Sequence, residues 1–368
     1  MLTVLDRYIL RSLLINYAIA LGTMLSLYVV LDLFVNMDEF TEQGYPVPIV
    51  IRNIISFYWP NLLLYFAQLS SVITLFACLA TVARMRKLNE MTAVLASGVS
   101  LYRLAAPVIV FGVATTALLV VDTEWLIPAV AHRLARDHDD ADGKRAYEVL
   151  FLRDRDGALL SAAQFHPTRR DLRQLLVLTR DETGAVVKTL EADRAIWEPP
   201  GAVRLQGRWR LERGRLMTRL RDDDRRLGPL ETKRVTYPVY YESDLNPEAI
   251  QLRQSEGWIR FLNLSQLNEL EQRGGTNPAA IVQTKHARKT APLVGIVLLL
   301  LGLPFFLDRS PANVLSDAGK CMIACGLCYV VSFIAQSIRP ASVSALPAWI
   351  PIFVFCTLAM VLIDRIRT

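Results

Sequence analysis

At 368 residues, 52% of them hydrophobic and with a positive mean hydropathy, the chain is too apolar for an ordinary water-soluble protein of this size. Its net charge of +6 says little about nucleic acid, because no Lys/Arg run is long enough or aromatic enough to form such a face. All five cysteines (Cys78, Cys321, Cys325, Cys328, Cys356) fall in apolar segments, which excludes a disulfide framework.

Crossing a hydrocarbon core of about 30 Å takes roughly 20 helical residues. Segments at about 12–35, 54–83, 104–121, 290–307, 321–338 and 344–363 meet that length, and Asp32 is the one Asp, Glu, Lys or Arg inside them. Arg7 and Arg11 precede an apolar run too long for a signal-peptide core, with no small-residue cleavage site after it, so a retained first span is expected. The loop that follows, 36–53, is acidic (Asp38, Glu39, Glu42) and contains Pro46 and Pro48. In the second span Pro60 is expected to bend the helix. Asn61 and Gln68 should face protein or a polar cavity, with helix–helix hydrogen bonding an equal reading.

Residues 84–98 form a short charged insert between two spans. Leu88, Met91, Val94 and Leu95 recur at i, i+3, i+6 and i+7, one apolar stripe on a helix that starts near Asn89 and Glu90 and stops at Gly98. Such a helix, fixed at both ends to membrane spans, can transmit force from outside the membrane; equally it can be a passive interfacial connector.

Residues 122–289 are different material, holding 55 of the 76 charged residues, and belong in water. Trp125 suits an interface. The stretch 137–143 fails the calcium-loop pattern, since Gly143 at the sixth position would put His138 first and Val149 twelfth. From about 147 to 245 short alternating segments (147–153, 173–179, 202–205, 207–212) are separated by turns at 156–157, 182–184 and 199–201, the signature of a β-sandwich or jelly roll with an edge open to a partner strand. A short helix over 265–273, capped by Ser265 and ended by Gly274-Gly275, precedes a second beginning near Asn277-Pro278 that runs into the fourth span. Lys285, His286, Arg288 and Lys289 then sit at the membrane surface, placed either to meet lipid phosphates or to snorkel. Cys321, Cys325 and Cys328, at i, i+4 and i+7 with no His or carboxylate beside them, are expected to be small packing residues.

Lys and Arg beside the short loops put Arg7, Arg11, Arg84, Arg86, Lys87, Arg103, Arg309, Lys320, Arg365 and Arg367 on one side against Arg52 and Arg339 on the other. The positive-inside rule then makes both termini and the 84–103 loop cytoplasmic and puts the large polar block on the far side. No phosphate-binding loop occurs, since Gly319-Lys320-Cys321 lacks the first glycine and the hydroxyl, and no Ser–His pair, HExxH site or carboxylate pair lies within the spans. No catalytic site, cofactor or metal is expected.

The order of parts, with Leu5-Asp-Arg-Tyr-Ile9 before the first span and Glu90 followed by Ala96-Ser-Gly98, resembles the lipopolysaccharide export permease family (LptF/LptG, also YjgP/YjgQ) over the whole chain. Residues 292–295 and 301–304 in the fourth span add less specific support. The resemblance implies an α-helical membrane protein with six transmembrane helices and a periplasmic jelly-roll-like all-β domain inserted between the third and fourth. Its parts are expected as helices 1–3 with the coupling helix (1–121), the β domain with helical connectors (122–289) and helices 4–6 (290–368). It further implies an inner-membrane permease subunit without catalysis of its own, paired with a paralogous six-span permease and driven by a cytoplasmic ABC ATPase dimer (LptB-like). Such a subunit hands lipopolysaccharide to periplasmic LptC/LptA-like jellyrolls.

On this resemblance Arg86, Lys87, Asn89, Glu90, Met91 and Val94 form the ATPase-docking helix, and Asp32, Asn36, Arg52, Asn61 and Arg339 are candidates to line the substrate cavity. Lys285, His286, Arg288 and Lys289 are candidates for the lipid phosphates. One departure stands out: where LptG-like members carry lysines at the outer end of the first span, this chain has Asp32, Asn36, Asp38, Glu39 and Glu42. Arg52, Arg339 or the 285–289 cluster can substitute, or the copy is LptF-like, or its cargo is another lipid. The alternatives to an exporter of this kind are a permease of another ABC lipid or lipoprotein exporter and a membrane-anchored β-domain scaffold.

Overall fold

The computed structural model describes residues 3–41, 46–135, 146–181, 183–201, 207–219, 233–254, 257–272, 278–305, 314–337 and 346–364. The chain divides into two compact units: Met1–Met37, Tyr58–Val130 and Ile259–Thr368 form one, and Asp38–Phe57 with Ala131–Trp258 the other.

Among the described residues, six helices are long and apolar enough to cross a membrane. The first, α1 (Val4–Val35), starts well before its apolar run because Thr3 and Asp6 close a capping box: the Thr3 hydroxyl accepts from the Asp6 amide and the Asp6 carboxylate accepts from the Thr3 amide. After α2 (Met37–Thr41), α3 (Val47–Lys87) runs through Pro60, a residue that removes one backbone donor. Next come α4 (Glu90–Ala96) and α5 (Leu101–Val121). A π-helical turn, Asp122–Leu126, and α6 (Ile127–Leu134) extend α5 beyond the expected 121. The later spans are α9 (Pro278–Gly302), α10 (Val314–Ser337) and α11 (Leu346–Asp364); as expected, Pro278 begins α9.

Within this unit α9 is central, packing against α5, α10 and α11. Close approach depends on glycines. A Cβ on Gly295 would lie 2.9 Å from the Ser71 Oγ of α3, and one on Gly302 would lie 2.8 Å from Leu75 Cδ1. The cysteines fill the same seam. Cys321, Cys325 and Cys328 are buried, and the Sγ atoms of Cys321 and Cys325 lie 3.9 Å and 3.7 Å from the carbonyls of Gly302 and Leu298.

Between the third and fourth spans the chain folds into an antiparallel sheet of eight strands: β1 (Tyr147–Arg153), β2 (Leu159–His166), β3 (Asp171–Arg180), β4 (Val186–Glu198), β5 (Arg208–Glu212), β6 (Arg215–Arg219), β7 (Lys233–Thr236) and β8 (Tyr240–Tyr241). The long β4 pairs with β3 along one side. Along the other it pairs with β5 over Arg194–Glu198 and with β6 over Lys188–Glu191, the two joined through Arg213, in the left-handed backbone region, and Gly214. One face is apolar (Val149, Leu160, Phe165, Leu172, Leu175, Trp209) and closes on Leu245 and Ile250 of the following segment, which includes α7 (Pro247–Gln254). The Trp209 indole donates to the Leu245 carbonyl at 3.0 Å. Segments 137–143 and 202–205 and the glycines at 274–275 lie outside the described residues.

The expected short helix is α8 (Leu264–Gln272), but Ser265 is not its cap. Asn263 is: its side chain accepts from the Gln266 amide at 2.8 Å while Gln266 accepts from the Asn263 amide at 3.0 Å, a reciprocal pair that Ser265, inside the helix, cannot form.

Candidate functional site

The charged insert is held by the chain on both sides. Helix α3 ends at Lys87, and Asn89 adopts the left-handed conformation (φ 58°), so α4 starts at Glu90 in a new direction. Leu88 consequently leaves the expected stripe and is exposed, whereas Met91 is buried and Val94 and Leu95 pack on the bundle core. Gly98, at φ +82°, ends the element, and the Ser100 side chain accepts from the Arg103 amide to start α5.

Glu90 is tied to the first span. The Tyr8 hydroxyl lies 2.9 Å from both Glu90 carboxylate oxygens, and Asp6 meets Arg103 at 3.5 Å, a weaker link because Arg103 is half in solvent. Farther along, the Asn16 amide donates to the Thr81 hydroxyl at 2.8 Å and joins α1 to α3. Arg86 points inward and pairs with Asp317 of α10 at 3.0 Å, both side chains 9% exposed, and it also donates to the Phe305 carbonyl at 3.4 Å. Of the six residues expected on a partner's surface, Met91 and Arg86 are therefore engaged inside the bundle, Lys87 and Asn89 are exposed, and Glu90 and Val94 are half-buried. Residue pattern does not single out Asp317, and Tyr8 enters only within the motif at 5–9, with no partner assigned to it.

At the other end of α1, Asp32 accepts from the Tyr58 hydroxyl at 2.8 Å, with the Tyr65 hydroxyl at 3.4 Å and the Asn36 amide at 3.4 Å. The Tyr65 ring stacks at 4.2 Å on Tyr28. Asn61 is buried, Arg52 is exposed, and Arg339 lies outside the described residues. The structure thus brings Asp32 and Asn36 together and sets two phenols against the half-buried carboxylate, which supply hydrogen bonds in place of lost water.

The basic cluster is mostly occupied within the chain. Lys285 pairs with Glu271 of α8 at 2.8 Å, and the Trp349 indole donates to His286 Nδ1 at 3.2 Å. Arg288, 8% exposed, pairs with Glu124 at 3.4 Å and donates to the carbonyls of Thr123 and Arg260. Glu124 in turn accepts from the Leu264 amide at 2.9 Å, so the π-helical turn, α8 and α9 share one knot. Lys289 is exposed. Beside this knot Asp122 is buried, and neither of its oxygens has a hydrogen-bond partner among the described residues.

A family model described as lipopolysaccharide export system permease LptF/LptG matches residues 7–365. The chain belongs to the LptF/LptG family. No curated protein matches it. Membership makes it a membrane component of a lipopolysaccharide export system, a transporter part and not an enzyme in its own right. Six apolar helices, with an antiparallel sheet inserted in the sequence between the third and fourth, agree with the LptF/LptG fold.

Proposed function

We propose that this LptF/LptG permease is the membrane subunit of an ATP-driven exporter in the bacterial inner membrane, with both termini and α4 in the cytoplasm and the β domain in the periplasm. A dimeric LptB-like ATPase docks on the α3–α4–α5 turn, a paralogous permease completes the cavity, and the lipid passes to LptC/LptA-like jellyrolls. The segments read as 1–121, 122–289 and 290–368 divide this labour between membrane bundle and sheet. The observation that carries the reading is the seating of α4: its apolar side (Met91, Val94, Leu95) is packed on the bundle core while Glu90 is fixed to span α1 by Tyr8. A seven-residue helix so held cannot slide alone, and displacement by a motor moves the spans with it.

For the lipid phosphates, Lys289 and Arg52 are the remaining exposed cations among the described candidates, because Lys285 and Arg288 already hold carboxylates. Glu90→Arg tests the docking. We expect the variant to insert and melt normally but to lose co-purifying ATPase and lipid-stimulated ATP turnover. Retention of both at the unmodified level would overturn the reading.

A further inference from the structure

The contact between Tyr8 and Glu90 has a geometry that bears on docking. A phenol has one proton to donate, and its oxygen sits 2.9 Å from each carboxylate oxygen, astride the carboxylate's open edge. That edge is where the two parallel N–H groups of a guanidinium bind an acid most strongly. One carboxylate cannot hold both there at once. We infer that Tyr8 is a latch that occupies the docking edge of Glu90 until a guanidinium from the motor displaces it, releasing α1 from α4 as the motor seats. This rests on the reading of α4 as the docking helix and adds the regulation of that site.

The surroundings allow the exchange. Tyr8 is 44% exposed and Glu90 half-buried, so a side chain from outside can approach without unfolding α1. Displacement leaves the phenol facing water, where it is readily solvated. It leaves α1 attached through Asn16 and Thr81 deeper in the bundle and through the solvent-weakened Asp6–Arg103 pair at its start. Docking thus breaks the tie between α1 and α4 while Ile9 and Leu13, buried in the bundle core, keep the helix in place, a local two-state contact that the motor can bias.

The test measures the dissociation constant of the purified ATPase for the permease, reconstituted with its partner permease in nanodiscs of phosphatidylethanolamine and phosphatidylglycerol. Tyr8→Phe removes the competing hydroxyl and nothing else. A hydrogen bond to a charged group, discounted for its exposure, corresponds to about tenfold, so Kd should fall by about that factor. In a Glu90→Gln background the same substitution should leave Kd unchanged, because the fork has no carboxylate to take. An unchanged or raised Kd for Tyr8→Phe, or a gain that persists beside Glu90→Gln, overturns the latch. If Tyr8→Phe melts early, Tyr8→Met carries the same expectation. Failure of the underlying reading is seen separately, as unmodified Kd in Glu90→Arg alone.

Discussion

Replacing Asp317 with alanine isolates the pair that fastens the end of α3 to the start of α10. Both side chains are 9% exposed and the N–O distance is 3.0 Å, so the pair falls in the buried class, where removing one partner takes the close counter-charge from the other. Lys320 also approaches Asp317, at 3.6 Å, but it is 62% exposed and rehydrates on loss of the acid, adding little. The Phe305 carbonyl, at 3.4 Å, cannot neutralise a guanidinium. The expected cost of Asp317→Ala is therefore about 3–5 kcal/mol of unfolding free energy. The assay is reversible unfolding of the detergent-solubilised full chain on titration with a denaturing detergent, followed by circular dichroism. The double replacement Arg86→Met with Asp317→Leu fills the space with apolar atoms and should recover most of the loss. A single-variant cost under about 1 kcal/mol, the range of a solvated surface pair, would refute the argument, as would a double variant no more stable than the single. The same reasoning separates Arg86 from its neighbour Lys87: the first belongs to the fold, and the second is exposed and open to the proposed docking.

Gly302→Val should cost about 1–3 kcal/mol in the same titration, because its Cβ would lie 2.8 Å from Leu75 Cδ1 and 3.4 Å and 3.5 Å from the thiols of Cys321 and Cys325, in a seam where all three side chains are already buried. In the β domain, Asp171 is fully buried and takes Arg194 through Nη2 at 2.7 Å and Nε at 2.8 Å, with His166 Nδ1 at 3.3 Å. Asp171→Ala should cost about 1–3 kcal/mol, less than a fully buried pair because Arg194 is 37% exposed and recovers water; faster hydrogen exchange at β3 and β4 amides would report it.

Apolar length finds the spans, and alternation finds β1 and parts of β3 and β5, since each depends on neighbours within one element. The strand at 147–153 has the expected ends, and α9 starts at the expected proline. Ends governed by local hydrogen bonds were harder. The α1 start depends on Thr3 and Asp6, polar residues ahead of the apolar run, and the α4 start depends on one left-handed residue, Asn89, that no hydrophobic count registers. The site was legible only as far as α4 and Glu90. Its fastening is non-local, with Tyr8 82 positions from Glu90 and Asp317 231 positions from Arg86, and periodicity carries no information at such separations. The basic cluster at 285–289 shows the same limit of scale. Four basic groups close in sequence are expected at the membrane surface, to meet phosphates or to snorkel, and nothing local shows that α8 and the π-helical turn supply acids to two of them.

These pairings bear on the orientation argument, because several cations counted toward it are neutralised in the fold. Arg86 meets Asp317 and Arg103 meets Asp6, so the end of the bundle that carries α4 is less positive than its Lys and Arg content suggests. The positive-inside bias nevertheless counts cations near short loops and gives acids little weight. It acts as spans enter the membrane, whereas Asp317 follows Arg86 by 231 positions and cannot shield it until the fourth and fifth spans are in place. Charges that set orientation during insertion are thus free to become internal ties afterwards. At this end of the bundle that double use leaves Arg84 and Lys87 exposed beside Glu90, two cations and one acid tied to Tyr8, and these are the charges that the proposed docking would use.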